Sequence, residues 1–234
     1  MSSFSDALLS SALPLVAELK RRGPDGQDLF RGRSVRSIVA EYERLGAPCI
    51  SVVTGSWFGG DDELLREVAR LTDRPILKKD FVTREAQVAD ARVMGARALL
   101  LTAELLPASA LRRLTETCLR HGLTPFVEIT RAGQLDAVPA AGQCVVAVSN
   151  KDIRVRERGA ADLGRSLRLL PDLRAAGVGC AVSASGIDTP EAARRLLAAG
   201  FDGLLVGTSL LTAGDAGEWA SAVADRTPQV SHPA

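Results

Sequence analysis

Short hydrophobic segments alternate with amphipathic segments of helical period along almost the whole chain. The hydrophobic segments begin at Leu13, Pro48, Pro75, Ala98, Thr124, Cys144, Gly179 and Gly203. Each is followed by a segment with helical spacing, which is weakest after the fifth, in RAGQLDAVPAAG. The hydrophobic segments are apolar almost without interruption, as parallel strands buried on both faces require. The pattern therefore predicts eight strand–helix units.

The predicted helices carry start and stop signals. Asp or the triplet Thr-Pro-Glu opens several of them, and glycine closes five just before the next strand, at Gly46, Gly95, Gly122, Gly177 and Gly200. Eight such units predict an α/β fold, a single (β/α)₈ TIM barrel spanning residues 1–234, with a frayed tail from about residue 226. An open, doubly wound sheet is the alternative, although it usually has fewer strands and free edges.

Polar residues interrupt six of the eight hydrophobic segments at their carboxyl ends, which in this fold all face one mouth. Glu18 and Lys20 are two residues apart and should point the same way, into that mouth. By the same alternation Lys79 shares a face with Leu77, and Glu128 shares one with Phe126. Lys78 should instead face the helices in a structural role.

Two interpretations of Glu18, Lys20, Lys79 and Glu128 remain open at this point. They form either a rim network of ion pairs that holds the barrel closed or a site for general acid–base catalysis. Burial would lower the pKa of a lysine and raise that of a glutamate, which brings both toward neutrality.

The last two strands end in loops that combine glycine with hydroxyl side chains. Ser185–Asp188 follows strand seven, and Val206–Ser209 covers the end of strand eight. Glycine lets backbone N–H groups approach an anion, and TIM barrels often bind phosphate at these two loops. We therefore predict a phosphate site, with ordinary turn glycines as the alternative.

Composition narrows the classes of function. The net charge of +1 provides no field that would attract nucleic acid or an anionic membrane. The four cysteines, Cys49, Cys118, Cys144 and Cys180, are widely spaced without a C-x-x-C pair, and three of them fall inside apolar runs, which favours core positions over a redox or metal role. With two histidines, His121 at a helix end and His232 in the tail, neither a histidine triad nor a histidine–metal site is expected. The N-terminus lacks a basic leader and no segment has the length of a membrane span, so we expect a cytoplasmic protein.

Several motifs resemble those of the indole-3-glycerol phosphate synthase family, in the same order and from about Pro14 to Leu211. They are VAELKRRGPDG, YERLGAPCISVVT, WFGGDDELL, PILKKDFVTREAQVADARVMGARALLL, FVEIT, AVSNKDI, SASGI and LLVGTSLL. The segment with Lys-Asp-Phe and a following Gln is the most specific of them. The resemblance implies closure of the pyrrole ring of an anthranilate-derived deoxyribulose phosphate, with loss of carbon dioxide and water and without metal or organic cofactor.

The resemblance also implies roles for individual residues. Lys79 corresponds to the general acid and Glu128 to the general base, while Lys20 binds substrate with Glu18 supporting it. Further candidates for binding substrate or phosphate are Gly23, Ser149, Asn150, Lys151, Ser185, Gly186, Gly207 and Thr208. The expected partner is a phosphorylated small molecule, and the expected oligomeric state is a monomer or weak homodimer.

The chain departs from the family pattern at four places. Ser149 and Lys151 stand where the sixth strand usually has Asn and Arg, Ala184 replaces the glutamate of Glu-Ser-Gly-Ile, and Gly23 replaces the serine of a Ser-Pro turn. The segment before Leu13 is also shorter than the family's N-terminal extension, which normally helps to cover the mouth. Two alternatives to the synthase interpretation therefore stay open. One is a paralogue that acts on another phosphorylated sugar adduct in specialised metabolism. The other is a barrel that binds a phosphorylated metabolite or a partner protein without catalysis.

Overall fold

The computed structural model describes residues 3–155 and 159–224, so the predicted tail and His232 lie outside the described part. Eight parallel strands pair in sequence order, and β1 pairs with β8 to close the barrel. The strands are β1 Leu15–Leu19, β2 Cys49–Val53, β3 Ile76–Lys79, β4 Ala98–Thr102, β5 Thr124–Ile129, β6 Val145–Ser149, β7 Cys180–Ala184 and β8 Gly203–Val206. All strand residues are buried, which explains their continuous apolar character and confirms the predicted TIM barrel.

Helices surround the barrel. They are α1 Phe4–Leu9, α2 Val35–Arg44, α3 Asp62–Leu71, α4 Glu85–Val93, α5 Ala108–Arg120, α6 Leu163–Ala175, α7 Pro190–Ala199, α8 Thr208–Thr212 and α9 Ala216–Ala224. Side chains of Ser34, Asp61 and Thr189 accept hydrogen bonds from the first turns of α2, α3 and α7. The five glycines predicted to end helices all have positive φ. None of the described helices has the length and apolarity that a membrane crossing needs.

The connection between β5 and β6 differs from the others. The sequence predicts a weak helix there, but the structure has two short 3₁₀ turns, Ala132–Ala137 and Ala141–Gln143. Pro139 and two glycines interrupt the helical pattern in this segment, and both residue types disfavour a continuous α-helix. Further 3₁₀ turns follow β2, at Ser56–Phe58, and β6, at Ile153–Val155.

The short helix α1, which the sequence pattern did not predict, closes the amino-terminal end of the barrel. Phe4 contacts Phe126 edge to face, with ring centroids 6.1 Å apart, and its carbonyl accepts a bond from the thiol of Cys49. Leu8 packs against Gly203, at the start of β8. In this chain the segment before β1 thus plugs the end opposite the mouth.

Candidate active site

A buried carboxylate holds two lysines at the mouth of the barrel. Glu18 Oε1 lies 3.3 Å from Lys20 Nζ, and Glu18 Oε2 lies 3.2 Å from Lys79 Nζ. All three side chains are buried, and Lys20 also lies over the ring of Phe58. We call Glu18, Lys20 and Lys79 the charge centre. Ion pairing and active-site geometry coincide here, because the same contacts that hold the strand ends together aim two ammonium groups into the mouth.

The electrostatics of Glu18 correct one expectation from the sequence. Burial by itself raises the pKa of this carboxyl, as expected. The charges of Lys79 and Lys20, together with their hydrogen bonds, outweigh that effect and hold the pKa of Glu18 below its usual value. Glu18 is therefore a permanent counter-ion at neutral pH, and it does not move toward neutrality as the sequence argument predicted.

Lys79 and Glu128 meet in a small pocket on the β3–β5 side of the mouth. The pocket holds about 20 Å³, and Thr102 is a further polar residue in its wall. Its apolar wall consists of Val53, Phe58, Phe81, Leu100 and Ile153. The sequence analysis did not assign these residues to the site, although Phe81 belongs to the Lys-Asp-Phe motif. The ammonium of Lys79 and the carboxylate of Glu128 can donate and accept protons, and the apolar wall beside them can contact an aromatic part of a ligand.

The end of β3 is fixed from the outside by a second network. Lys78 Nζ contacts Asp62 at 2.6 Å, Asp80 at 3.3 Å and the hydroxyl of Thr54 at 2.9 Å. Asp62 begins α3, so Lys78 faces the helix layer, as strand alternation predicted. Because Lys78 is held on one side of the strand, its neighbour Lys79 is directed to the other, into the barrel.

A larger pocket of about 230 Å³ lies on the β7–β8 side, and we call it the anion pocket. The predicted residues that line it are Glu18, Lys20, Lys151, Ser185, Gly186, Gly207 and Thr208. Ser209 Oγ donates to the carbonyl of Ile187 at 2.8 Å and so ties the two glycine-containing loops together. Glu18 and Lys20 thus connect the two halves of the mouth.

Two backbone features shape the anion pocket. Ser185 and Gly186 both have positive φ, 66° and 68°, which for a serine is an uncommon conformation that the surrounding loop must stabilise. At Gly207 a Cβ would lie only 2.6 Å from Glu18 Oε1, so the absence of a side chain there makes room for the buried carboxylate. Gly207 is therefore needed for space beside Glu18, whereas Gly186 has the positive φ that is typical of a turn glycine.

The rim of the anion pocket also carries residues that the sequence analysis missed. Asp25, Gln27 and Asp188 line it, and all three are exposed. Neither aspartate stands out in the sequence, because each lies in a polar loop where an acidic residue is ordinary. Their charges oppose those of Lys20 and Lys151 on the same pocket.

Comparison with known proteins decides the family. The sequence profile of indole-3-glycerol phosphate synthase matches residues 1–223. An indole-3-glycerol phosphate synthase of Chloroherpeton thalassium is 35% identical over 204 residues, which are 87% of this chain and 76% of the relative. One from Carboxydothermus hydrogenoformans is 33% identical over 87% of this chain and 76% of its own length. The chain belongs to the indole-3-glycerol phosphate synthase family.

Similarity to solved structures bears on the fold alone. A thiamine phosphate pyrophosphorylase from Pyrococcus furiosus superposes with a TM-score of 0.62 at 17% identity, over 91% of this chain and 94% of the other. Such low identity shows that the barrel is shared and says nothing about the reaction.

Three of the candidate binding residues in this synthase-family chain do not line either pocket. Gly23 donates its N–H to the carbonyl of Gln27 at 3.0 Å, within the β1–α2 turn. Ser149 is buried and donates to the carbonyl of Lys151 at 3.1 Å. For Gly23 and Ser149 the groups that could bind a ligand are therefore engaged within the loops.

Asn150 is the third, and its side chain is fully buried. Its amide nitrogen donates to the hydroxyl of Ser183 and to the carbonyls of Ala184 and Ser185, while its Oδ1 accepts from Ser166 at 2.8 Å. The structure does not bring this predicted binding residue to either pocket, because the polar atoms of Asn150 join β6, β7 and α6. It acts on the mouth indirectly, by holding the start of the Ser185–Asp188 loop.

The two main departures from the synthase pattern are neighbours in the sheet. Ser149 and Ala184 are register partners at the ends of β6 and β7. Ala184 faces the interior with Val182 and Cys180 and is fully buried. In this chain the β6–β7 side of the mouth therefore carries two small side chains where the family has an amide and a carboxylate.

Proposed function

We propose that this chain closes the indole ring of 1-(2-carboxyphenylamino)-1-deoxyribulose 5-phosphate, with loss of carbon dioxide and water. Membership of the indole-3-glycerol phosphate synthase family, a family of decarboxylating lyases, supports this reaction. The observation that carries it is the charge centre, in which Glu18 lies between Lys20 and Lys79 and joins the pocket of Glu128 to the anion pocket.

Lys79 is the proposed proton donor. When the ring carbon that bears the carboxylate attacks the substrate carbonyl, the carbonyl oxygen gains negative charge and needs a proton. Lys79 lies in this pocket with its Nζ 3.2 Å from Glu18 Oε2, and this ion pair holds the ammonium in position to donate that proton. Loss of carbon dioxide then returns the electron pair of the broken bond to the ring.

Glu128 is the proposed proton acceptor. Lys79, reprotonated from solvent, protonates the hydroxyl left on the new ring, and the lone pair of the ring nitrogen expels it as water. Glu128 then removes a proton from the neighbouring ring carbon, which neutralises the nitrogen and completes the aromatic system. Glu128 lines the same pocket as Lys79 and is itself buried, so acid and base face the same end of the mouth. The apolar wall around Phe81 excludes water from this end of the substrate.

We place the phosphate of the substrate in the anion pocket. Lys20 and Lys151 supply positive charge there, and the loops at Gly186 and Gly207 bring backbone close to the ligand. The charge centre would then lie between the phosphate and the reacting carbonyl. This orientation puts the aromatic part of the substrate against the apolar wall.

The remaining expectations about the whole protein are part of the proposal. We propose a single-domain cytoplasmic enzyme that acts as a monomer or weak homodimer on a phosphorylated small molecule, without nucleic-acid or membrane partners. A net charge of +1 supports local recognition of the anion in preference to attraction by the whole surface.

The direct test is turnover of the proposed substrate, followed by indole fluorescence and by release of carbon dioxide. We expect both signals in equal amounts from the unaltered protein. Glu128→Gln keeps the shape of the side chain and removes the base, and it should lower kcat by about 10²- to 10⁴-fold. Glu63→Gln on the exposed face of α3 is the matched control and should leave kcat unchanged. Absence of product from the unaltered protein, or normal turnover by Glu128→Gln, would refute the proposal.

A further inference from the structure

Glu104 connects the loops that follow three successive strands. It lies just after β4, and its side chain is only 5% exposed. Its carboxylate accepts hydrogen bonds from Thr130 at 3.0 Å and Gln134 at 2.8 Å, both in the segment after β5. It also pairs with Arg131 of that segment and with Arg154 of the 3₁₀ turn after β6. One buried carboxylate therefore ties three neighbouring loops at the mouth.

The electrostatics keep this carboxylate charged. Burial alone raises the pKa of Glu104, but the hydrogen bond from Thr130 and the charges of Arg131 and Arg154 lower it, and the net effect is a lowered pKa. Both guanidinium groups therefore face a full negative charge throughout the neutral pH range. A carboxylate with this many donors is a strong anchor for whichever arginine reaches it.

The segment that Arg154 anchors contributes to both pockets. We call residues 151–154 the β6–α6 segment. Lys151 at its start lines the anion pocket, and Ile153 lines the pocket of Lys79 and Glu128. The start of the segment is held separately, because Arg165 donates to the carbonyls of Ser149 at 2.7 Å and Lys151 at 3.4 Å. Within the described residues, the ion pair between Arg154 and Glu104 connects the other end of this segment to the loop after β4.

We propose that Glu104, acting through Arg154, is a positioning residue that holds the β6–α6 segment across the mouth. The proposal rests on the proposed function, since it assumes that Lys151 contacts the substrate anion and that Ile153 covers the reacting ring. Glu104 itself lines neither pocket. Its effect on the reaction comes from where it places Lys151 and Ile153.

The two arginines on Glu104 provide a matched pair of variants. The side chains of Arg131 and Arg154 are equally exposed, at 62%, and both pair with the same carboxylate. Arg131→Ala removes a charge from Glu104 but leaves the β6–α6 segment tied. Arg154→Ala removes the same charge and releases the segment. A role limited to stability would affect the two variants alike, whereas a positioning role affects Arg154→Ala alone.

The experiment measures binding and turnover for both variants. Calorimetric titration with inorganic phosphate gives Kd, steady-state assays with the anthranilate-derived substrate give kcat and KM, and a thermal melt gives Tm. We expect Arg154→Ala to lower kcat/KM by about 10- to 100-fold through misplaced groups. Its Kd for phosphate should rise with KM, and Arg131→Ala should stay within about fivefold of the unaltered protein. Arg154→Lys, which restores the charge, should recover part of the loss.

The outcomes separate this proposal from the proposed function. Equal kinetics and equal phosphate affinity in Arg131→Ala and Arg154→Ala would overturn the positioning role while leaving the reaction intact. If the unaltered protein binds phosphate but gives no product, the proposed reaction fails, and the positioning role is then judged by phosphate affinity in the two variants. If the unaltered protein binds neither ligand, both proposals fall.

Discussion

The substitution Gly207→Ala should disturb the charge centre without changing any ionisable group. A Cβ at this position would lie 2.6 Å from Glu18 Oε1, 3.1 Å from its Cβ and 3.2 Å from its Cδ. Ordinary contact begins at 3.4 Å, so the Glu18 carboxylate must retreat by about 0.8 Å. Its freedom to do so is small, because Lys20 and Lys79 hold its two oxygens at 3.3 and 3.2 Å. The added methyl group therefore displaces both lysines or the loop after β8.

The expected magnitude follows from that displacement. A shift of about 1 Å in reacting groups can cost about 10²-fold in rate, so we expect a fall of about this size in kcat/KM. Overpacking a buried site typically lowers the free energy of unfolding by about 1–3 kcal/mol, which a denaturant titration resolves. Turnover is followed by indole fluorescence under conditions in which the variant is fully folded.

Gly214→Ala is the matched control for this prediction. Gly214 follows α8, seven residues after Gly207, and a Cβ there meets nothing within 4 Å. The variant Gly214→Ala should leave kcat/KM and the free energy of unfolding nearly unchanged. Full activity in Gly207→Ala would show that Glu18 does not need its observed position. An equal loss in both variants would show that the effect comes from the loop backbone and not from contact with Glu18.

The other predictions concern acid–base groups, the changed strand ends and the thiols. Lys79→Ala should lower kcat by about 10²- to 10⁴-fold in the fluorescence assay, and an unchanged rate would exclude it as the acid. Ser149→Asn with Ala184→Glu should raise turnover more than either change alone, because register partners couple; additive or absent gains would contradict this. Lys79 and Lys20 lower the pKa of Glu18 against the effect of burial, so its stabilising charge is present above the usual glutamate pKa and is lost as pH falls through the lowered value. Acid denaturation of Glu18→Gln should lack that component, and an identical acid limb would refute the assignment. Burial raises the pKa of the Cys118 thiol to about 12, so native protein should react with a thiol reagent at pH 8 only as fast as it unfolds.

The barrel and the position of its mouth could be predicted because they depend on local rules. Strands buried on both faces must be apolar throughout, and positive-φ glycines mark the ends of helices such as α2 and α7. Polar residues at strand ends then locate the mouth, and strand alternation separates Lys79, which points inward, from Lys78, which faces Asp62. The interpretation of cysteines in apolar segments as core residues is confirmed, and all four cysteines are buried.

Contacts between loops could not be predicted, because they depend on how distant segments meet. The family resemblance implied ligand binding for Asn150, but in the folded protein Ser183 and Ser166 bond to its polar atoms. The resemblance implied the same for Gly23, whose N–H donates to the carbonyl of Gln27 within its own turn. Glu104 carried no motif at all, and only the meeting of three loops makes it an anchor. Helix α1 escaped detection because six residues are too few for a periodic pattern.

The inward-facing layer at the mouth explains why the charge centre can persist while the neighbouring strand ends change. In a TIM barrel, alternate strands contribute the side chains of one layer. Here the four odd-numbered strands β1, β3, β5 and β7 contribute, in that order, Glu18, Lys79, Glu128 and Ala184 to the layer at the mouth. With Lys20 beside them, two ammonium groups face two carboxylates, so these four charges balance without an ionisable side chain from β7. A glutamate at position 184 would add a third negative charge to this layer. Such a glutamate is therefore not needed to balance the layer, and we expect its effect to be on ligand binding. The departures at Ala184 and Ser149 therefore lie on the β6–β7 side of the mouth, whereas Lys79 and Glu128, the proposed acid and base, line the pocket on the β3–β5 side.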